Sequence, residues 1–446
     1  MRRRATAIAL ATTAIATLLA GVPAAKAAAP PPSGAGATAL ISGPNSTVNG
    51  FPVEDEAPAI SGDGSWVGFV RGAFETGSAV YLGYFTGETR AIDIPRGLTE
   101  QGQGFDAGAP SASGDGHYIA FASEDPAISN EDRDYSTTPA GDTFPVRDIF
   151  VYDRATKAIG LVSRGNGLTG KAGNGDSSNP SISADGDSIA FQTEATNLQH
   201  GVSGGVFVRS QFGGTTTLAS RASGAHGKPL NGGYVPSISA HGRWVAFLTT
   251  VHLRHGHALE VAVRDMRTKR TILVSRAGGA GGALAAGDCG PPAISANGRY
   301  VAFATKARNL GGGSGSVEDV FVRDLKTKRT ILASRAKGPH GVAGNGDSSE
   351  PSISASGRYV AFQSYASNLG PPDNGAVPDV FVRDLRSGRV LLASRASGNG
   401  EASNAPSSEP SISAEGRWVT FASHGSNLSV EDPLHASSVY RYQALP

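Results

Sequence analysis

Pro351-Ser352-Ile353-Ser354-Ala355-Ser356-Gly357-Arg358-Tyr359-Val360-Ala361-Phe362 is the stretch whose reading decides the fold, because variants of it begin at Pro58, Pro110, Pro180, Pro236, Pro292, Pro351 and Pro410. The offsets between successive prolines are 52, 70, 56, 56, 59 and 59 residues. A period of this size marks a solenoid or a propeller, in which each repeat covers its apolar faces only against its neighbours. Each copy is followed by a second block, Asp319-Val320-Phe321-Val322-Arg323-Asp324 or its equivalent, and then by a third, Thr330-Ile331-Leu332-Ala333-Ser334-Arg335.

Within a repeat the residues read as four short strands. Pro351 to Ser354 forms the first, and Ala355-Ser356-Gly357-Arg358 turns the chain; Ala184-Asp185-Gly186-Asp187, Ala240-His241-Gly242-Arg243 and Ala296-Asn297-Gly298-Arg299 occupy the same place elsewhere. A Gly at a fixed offset after Asp, Asn, His or Ser marks a tight hairpin in which the Gly takes positive φ. The second strand is Tyr359 to Phe362, the third Val380 to Arg383, and Asp384-Leu385-Arg386-Ser387-Gly388 returns into a fourth, Val390 to Ser394. None of these runs is long enough for a helix, so the fold class is all-β.

Both faces of such a four-stranded antiparallel unit carry apolar residues, and seven units set radially around an axis cover them all. The ends of the repeat array specify the closure. After the seventh copy, Trp418 to Phe421 and Val439 to Tyr442 supply second and third strands, but no fourth follows. Thr38-Ala39-Leu40-Ile41-Ser42 matches Thr330 to Ser334 and precedes the first proline block. The sequence therefore predicts a seven-bladed β-propeller over residues 38–446, with the N-terminal strand completing the last blade.

Composition fits this reading. Among 446 residues, 60 Gly and 26 Pro fall mostly between short apolar runs, as in an all-β protein with many turns. Arg2-Arg3-Arg4, an apolar run from Ala5 to Val22 and Ala25-Lys26-Ala27 read as a secretory signal peptide over residues 1–27. A Pro/Gly/Ala linker over residues 28–37 follows. A secreted or extracytoplasmic chain with no stable membrane span is expected, and a monomer. Losing Arg2, Arg3, Arg4 and Lys26 with the leader changes the formal charge from +1 to −3, which gives no support to a nucleic-acid partner. The single cysteine, Cys289, has no internal disulfide partner.

The Pro-x-x-Ser-x-Asp/Ser-Gly-x-x-Val-Ala-Phe block, followed by Asp-Val-Phe-Val-Arg-Asp, resembles the WD40-like (PD40) repeat of the TolB propeller family, from about residue 38 to 446. That resemblance implies a propeller used for protein binding in the bacterial envelope, or the non-catalytic propeller of some peptidases. Roles that depend on TolB's separate N-terminal α/β domain, or on a peptidase domain, are not carried over.

Residues present in every blade are explained by building a blade. The pairs Arg264-Asp265, Arg323-Asp324 and Arg383-Asp384 read as structural, with Asp capping the hairpin between third and fourth strands and Arg packed along the blade. The Ser-Arg endings at Arg164, Arg221, Arg276, Arg335 and Arg395 read likewise. Candidate sites lie where the copies disagree. Asp347 and Asp176 in Gly-Asn-Gly-Asp loops, and Asp373, Asn374 and Asp379, could offer oxygen ligands to calcium, though without the spacing of an EF-hand. His252, His255 and His257 could hold a transition metal; His252 stands where other blades have Asn197, Asn309, Asn368 and Asn427. The blade-two loop holds Glu124, Asp125, Glu131, Asp132, Asp134 and Asp142, from which a glycosidase-type carboxyl pair could be drawn. No His-Glu-x-x-His motif appears. Arg267-Thr268-Lys269-Arg270 and Lys326-Thr327-Lys328-Arg329 make a positive lower rim. The sequence thus reads as an exported binding propeller for a protein or cell-wall or polysaccharide ligand on its long-loop face, with a glycan-active hydrolase or a structural envelope protein as alternatives.

Overall fold

Seven four-stranded antiparallel sheets follow one another along the chain, and no helix occurs among the described residues. The computed structural model describes residues 36–445, apart from 43–46, 49–50, 74–76, 85–88, 92–106, 126–127, 129–134, 138–142, 254–255, 314, 371–376, 399 and 430–435. The signal-peptide segment lies outside the described residues.

The inner strands are Glu54–Ile60, Ala107–Ala112, Ser177–Ile182, Tyr234–Ile238, Ala293–Ile294, Ser348–Ile353 and Ser407–Ile412, in blades 1 to 7. Each touches the inner strands on both sides, and that of blade 7 touches that of blade 1. In most blades the inner strand begins two or three residues before the proline, earlier than the sequence suggests. A bulge at the proline allows this, with the preceding residue at positive φ in Ala57, Asn179, Val235, Glu350 and Glu409.

The proline-led block builds the ring. Ser352 Oγ accepts the Ile412 N–H of the next blade at 3.1 Å, and Ser411 Oγ accepts that of Ile60 at 3.2 Å. Ser354 Oγ and its six counterparts accept the N–H five residues on, bracing the first hairpin. Below them backbone bonds circle the axis: Asp63 N–H to Gly114 O, Gly114 to Ala184, Asp185 to Ala240, Ala240 to Ala296, Ala296 to Ala355, Ala355 to Ala414, and Ala414 back to Gly62. The hairpin Gly of each blade sits on the residue that opens the second strand of the preceding blade. Gly298, at φ +69°, shows why this must be glycine: a Cβ there would lie 2.1 Å from Trp244. Trp66, Tyr118, Tyr300, Tyr359 and Trp418 are covered in the same way, and Ser188 holds the remaining place.

Blade 7 closes as the sequence predicts. Thr38 pairs with Tyr442 and Leu40 with Tyr440, antiparallel, so the N-terminal strand is its outer strand. The core lies between blades, in apolar clusters that each draw on adjacent sheets; Val261 and Val263 of blade 4, for example, pack with Phe303 and Phe321 of blade 5.

The loops from an outer strand to the next inner strand form a feature the sequence does not announce. Five of them fold into hairpin arms, joined by the bridges Arg164↔Ala172, Arg221↔Pro229, Arg276↔Leu284, Arg335↔Ala343 and Arg395↔Ala402. Four of these arms end beside the outer hairpin of the following blade, as where Gly279 N–H donates to Lys328 O at 2.7 Å, and the fifth ends at Gly36, ahead of the strand that completes blade 7, where Gly398 N–H donates to Gly36 O. The third-strand arginine of the following blade grips the arm: Arg323 donates to Ala277 O at 2.7 Å and Gly279 O at 2.9 Å, and Arg383 to Arg335 O, Ala336 O and Gly338 O. The Ser-Arg arginines brace each arm from within, as Arg335 Nε does toward Gly341 O at 2.8 Å. The aspartate that follows the gripping arginine caps its hairpin, Asp324 Oδ1 accepting the Lys326 and Thr327 N–H groups. It also pairs with an arginine of its own blade, Arg299, at 2.7 Å. These bonds hold Asp324 far below the ordinary carboxyl range, with Arg299 the largest cause.

Candidate functional site at the axial mouth

The Gly-Asn-Gly-Asp loops are clasps. Asn345 N–H donates to Asn368 Oδ1 at 3.1 Å and Asn368 Nδ2 returns to Ala343 O at 2.9 Å; Asn174 with Asn197, and Asn404 with Asn427, do the same. Asp347 Oδ1 accepts the Glu318 N–H at 2.6 Å, with Lys306 Nζ 3.6 Å from Oδ2, and Asp176 Oδ1 accepts the Arg147 N–H at 3.1 Å. Both carboxylates tie one blade to the loop that precedes the third strand of the blade before it. Asp379 lies apart from them, inside blade 6, where its Oδ1 accepts Ser394 Oγ–H at 2.6 Å and Ser394 Oγ accepts the Val380 N–H. Asp373 and Asn374 lie outside the described residues.

His252 and His257 face each other across a strand pair, and His252 Nε2 lies 2.8 Å from Asn231 Nδ2, a contact of the kind that Thr196, Ser367 and Ser426 make with the side-chain amides of Asn174, Asn345 and Asn404. His255 lies outside the described residues. In the blade-two loop Glu124 Oε1 meets Arg147 Nη2 at 2.5 Å, while the Asp125 side chain is buried and its N–H donates to Ser123 Oγ. Glu131, Asp132, Asp134 and Asp142 lie outside the described residues. The same loop carries a small hairpin, Tyr135–Thr137 with Thr143–Pro145, that the sequence reading did not foresee. Among the described residues, no three His, Cys, Asp or Glu side chains form a metal-binding group.

Glu260 takes the place in blade 4 that Asp379 has in blade 6, with one methylene more. It is fully buried; Ser275 Oγ donates to Oε2, and Oε1 has no partner among the described residues. Burial pushes its carboxyl up to about 7. Cys289 beside it is pushed up to about 12, by burial first and by Glu260 second, and stays a thiol. A raised carboxyl favours the proton-bound fold, so this contribution is complete below the ordinary carboxyl range and lost as pH rises through about 7. Glu260→Gln should therefore gain about 2 kcal/mol over the parent at about pH 8 and almost nothing at about pH 4, the full shift being reduced by solvent screening. Urea denaturation at the two pH values checks this.

The residues that come together across blades are others. Ala57 N–H donates to Glu409 Oε2 at 2.7 Å, and Glu409 N–H donates to Glu350 Oε2 at 2.9 Å, so the carboxylates of blades 6 and 7 each reach forward along the axial wall. Glu56 of blade 1 and Glu318 of blade 5 extend the line. The Glu409 carboxyl is raised by burial, with Glu56 and Glu350 adding to it against the Ala57 N–H; that of Glu318 is raised by burial, then by Asp347 and Glu350 against Lys306. The arc Glu318–Glu350–Glu409–Glu56 thus forms an acidic wall across four blades at the long-loop end of the axis. Tyr365, at the start of a long-loop segment of blade 6, and Tyr234, on the inner strand of blade 4, expose their rings. The signal for this arc was in the sequence: the residue before the blade proline is Ala57, Ala109, Asn179, Val235, Pro291, Glu350 and Glu409, a place where the copies disagree.

With this geometry in place, comparison with solved structures finds other β-propellers among its matches. The β-propeller domain of the Trilobed protease from Pyrococcus furiosus matches at TM-score 0.53 and 11% identity, over 89% of this chain and 98% of that one. An oligogalacturonate lyase in complex with manganese matches at 0.51 and 11%, over 93% and 99%. The likeness is one of fold. TolB from Acinetobacter baumannii aligns at 0.38 and 13%, over 77% of this chain and 80% of that one. No family model and no curated protein sequence matches the chain. No helix among the described residues is long and apolar enough to cross a membrane.

Proposed function

We propose that this chain is an exported, non-catalytic binding propeller of TolB-like type that recognises a protein partner through its long-loop face, presenting the acidic axial mouth to a Lys- or Arg-bearing segment. The observation that supports this most directly is the arc Glu318–Glu350–Glu409–Glu56, in which the Glu350 carboxylate accepts the Glu409 N–H and the Glu409 carboxylate the Ala57 N–H, and in which Glu409 and Glu318 are raised by burial first and then by their acidic neighbours. Crowded carboxylates of this kind are relieved by a cation that enters among them. Exposed Tyr234 and Tyr365 offer aromatic anchors of the sort found in protein interfaces. The leader-like residues 1–27 place the partner in the cell envelope or outside it.

The test is capture of partners from the host's envelope fraction by the mature protein, beside an E350Q/E409Q double variant. Gln keeps an acceptor for the Ala57 and Glu409 N–H groups, so the variant should melt as the parent does while losing at least about tenfold in affinity for the captured partner. Equal affinity of parent and variant would remove the acidic mouth from recognition. Turnover of a cell-wall glycan that vanished on neutralising Glu124 and Asp125 would replace the binding reading with an enzyme.

A further inference from the structure

On the opposite rim, between blades 4 and 5, lies a cavity of about 470 Å³, within the range of small-molecule sites. Its apolar part is formed by Trp244, Ile272 and Leu325, and its charged part by Arg270 on the blade-4 side and by Lys326 and Lys328 on the blade-5 side. A second cavity of about 250 Å³ adjoins it and shares Ile272, Leu325 and Lys328. The other charged groups of the lining are already neutralised: Asp265 is paired with Arg243 at 2.8 Å and Arg299 with Asp324 at 2.7 Å. The side chains of Arg270, Lys326 and Lys328 have no ion pair or hydrogen bond among the described residues. The cleft thus combines an apolar lining with unpaired cations contributed by both blades.

We propose that this cleft binds a small organic diacid, two acidic groups joined by a short carbon skeleton, one group held by Arg270 and the other by Lys326 and Lys328. The apolar lining contributed by Trp244, Ile272 and Leu325 suits a carbon spacer better than a compact inorganic ion. Lys328 lines both cavities, and it does so from a φ of +59°, a conformation that favours glycine. Gly388 holds the equivalent place in blade 6. Lys269 shares the strained φ in blade 4 but does not line the cleft, so strain alone does not single out Lys328.

Lys328→Gly removes the charge and fits the backbone, so a loss of binding in this variant is not a loss of folding. Lys269→Gly is the control, taking the same charge from the same turn position one blade earlier. Titration calorimetry at low salt would compare adipate and fructose 1,6-bisphosphate with hexanoate and inorganic phosphate. At least one of the two spaced diacids should bind about tenfold or more tightly than hexanoate and inorganic phosphate, and the stronger of them identifies carboxylate or phosphate as the acidic group. Lys328→Gly should weaken it about fivefold or more, and Lys269→Gly less than about twofold. If neither diacid exceeds hexanoate and inorganic phosphate by that margin, or if the two glycine variants weaken binding equally, the cleft is not such a site.

Discussion

A chain starting at Val53, without the strand Thr38–Leu40, is expected to lose at least about 5 kcal/mol of stability and to associate through the bared edge of blade 7. The strand contributes three residue pairs to the third strand of that blade. It also packs Leu40 against the core shared by blades 6 and 7, and Ile41 against Gly83, Phe69 and Val439 where blade 1 meets blade 7. Burying two such side chains is worth about 1.5–3 kcal/mol each. The deletion further strips the Arg395 O of its bond from Thr38 Oγ1 and the Val439 N–H of its acceptor, Ser42 Oγ. Each orphaned group costs about 1–3 kcal/mol unless water reaches it. Thermal melting and size-exclusion chromatography check the outcome: a truncated monomer melting within about 2 °C of the parent would show that the seam does not hold the ring.

Arg264→Ala carries the second large effect. The side chain is 1% exposed, and its guanidinium donates to Arg221 O, Ala222 O, Gly224 O and Thr271 Oγ1, all at 3.2 Å or less. Burial lowers its pKa, with Arg221 adding to the effect, so the cation is held by carbonyl dipoles. Removing it leaves the arm that blade 3 lays on blade 4 with unsatisfied carbonyls, at a cost of about 3–4 kcal/mol. Arg264→Lys should recover little, because an ammonium cannot span the separate acceptors that a planar fork reaches. Urea unfolding with an unchanged m-value measures the loss; a cost below about 1 kcal/mol would mean that the arms lie on the blades without bracing them.

How much of this was legible in the sequence depends on the range of the signal. The hairpin glycines, the four strands and the seam at Leu40 and Tyr440 were legible because a tight turn and a missing strand leave marks within a few residues. The arms were not: segments such as Gly165 to Lys171 read as Gly-rich loops, and their acceptors are backbone carbonyls that no residue type announces. Sequence identified Arg323 and Arg383 as structural but could not name the arm each grips, some 45 residues upstream. Asp347 and Asp176, with oxygens suited to calcium, turned out to hold backbone N–H groups of the preceding blade. The acidic arc depends on which blades become neighbours after closure, so Glu409 and Glu56 meet only once the ring is shut.

That closure also sets how the molecule answers a pull. Because the outer strand of blade 7 runs antiparallel to its neighbour, Gly36 and Gln443 lie side by side, bonded N–H to O at 2.8 Å. Tension applied between those two residues would open the ladder from one end, rung by rung, and not load all its rungs together as a shearing pull would. The seam that makes the ring cooperative against heat would thus yield one rung at a time to such a pull, and a tether drawing those two positions apart would peel the first strand from blade 7 while the bonds between Ser411 and Ile60 and between Ala414 and Gly62 still joined that blade to blade 1.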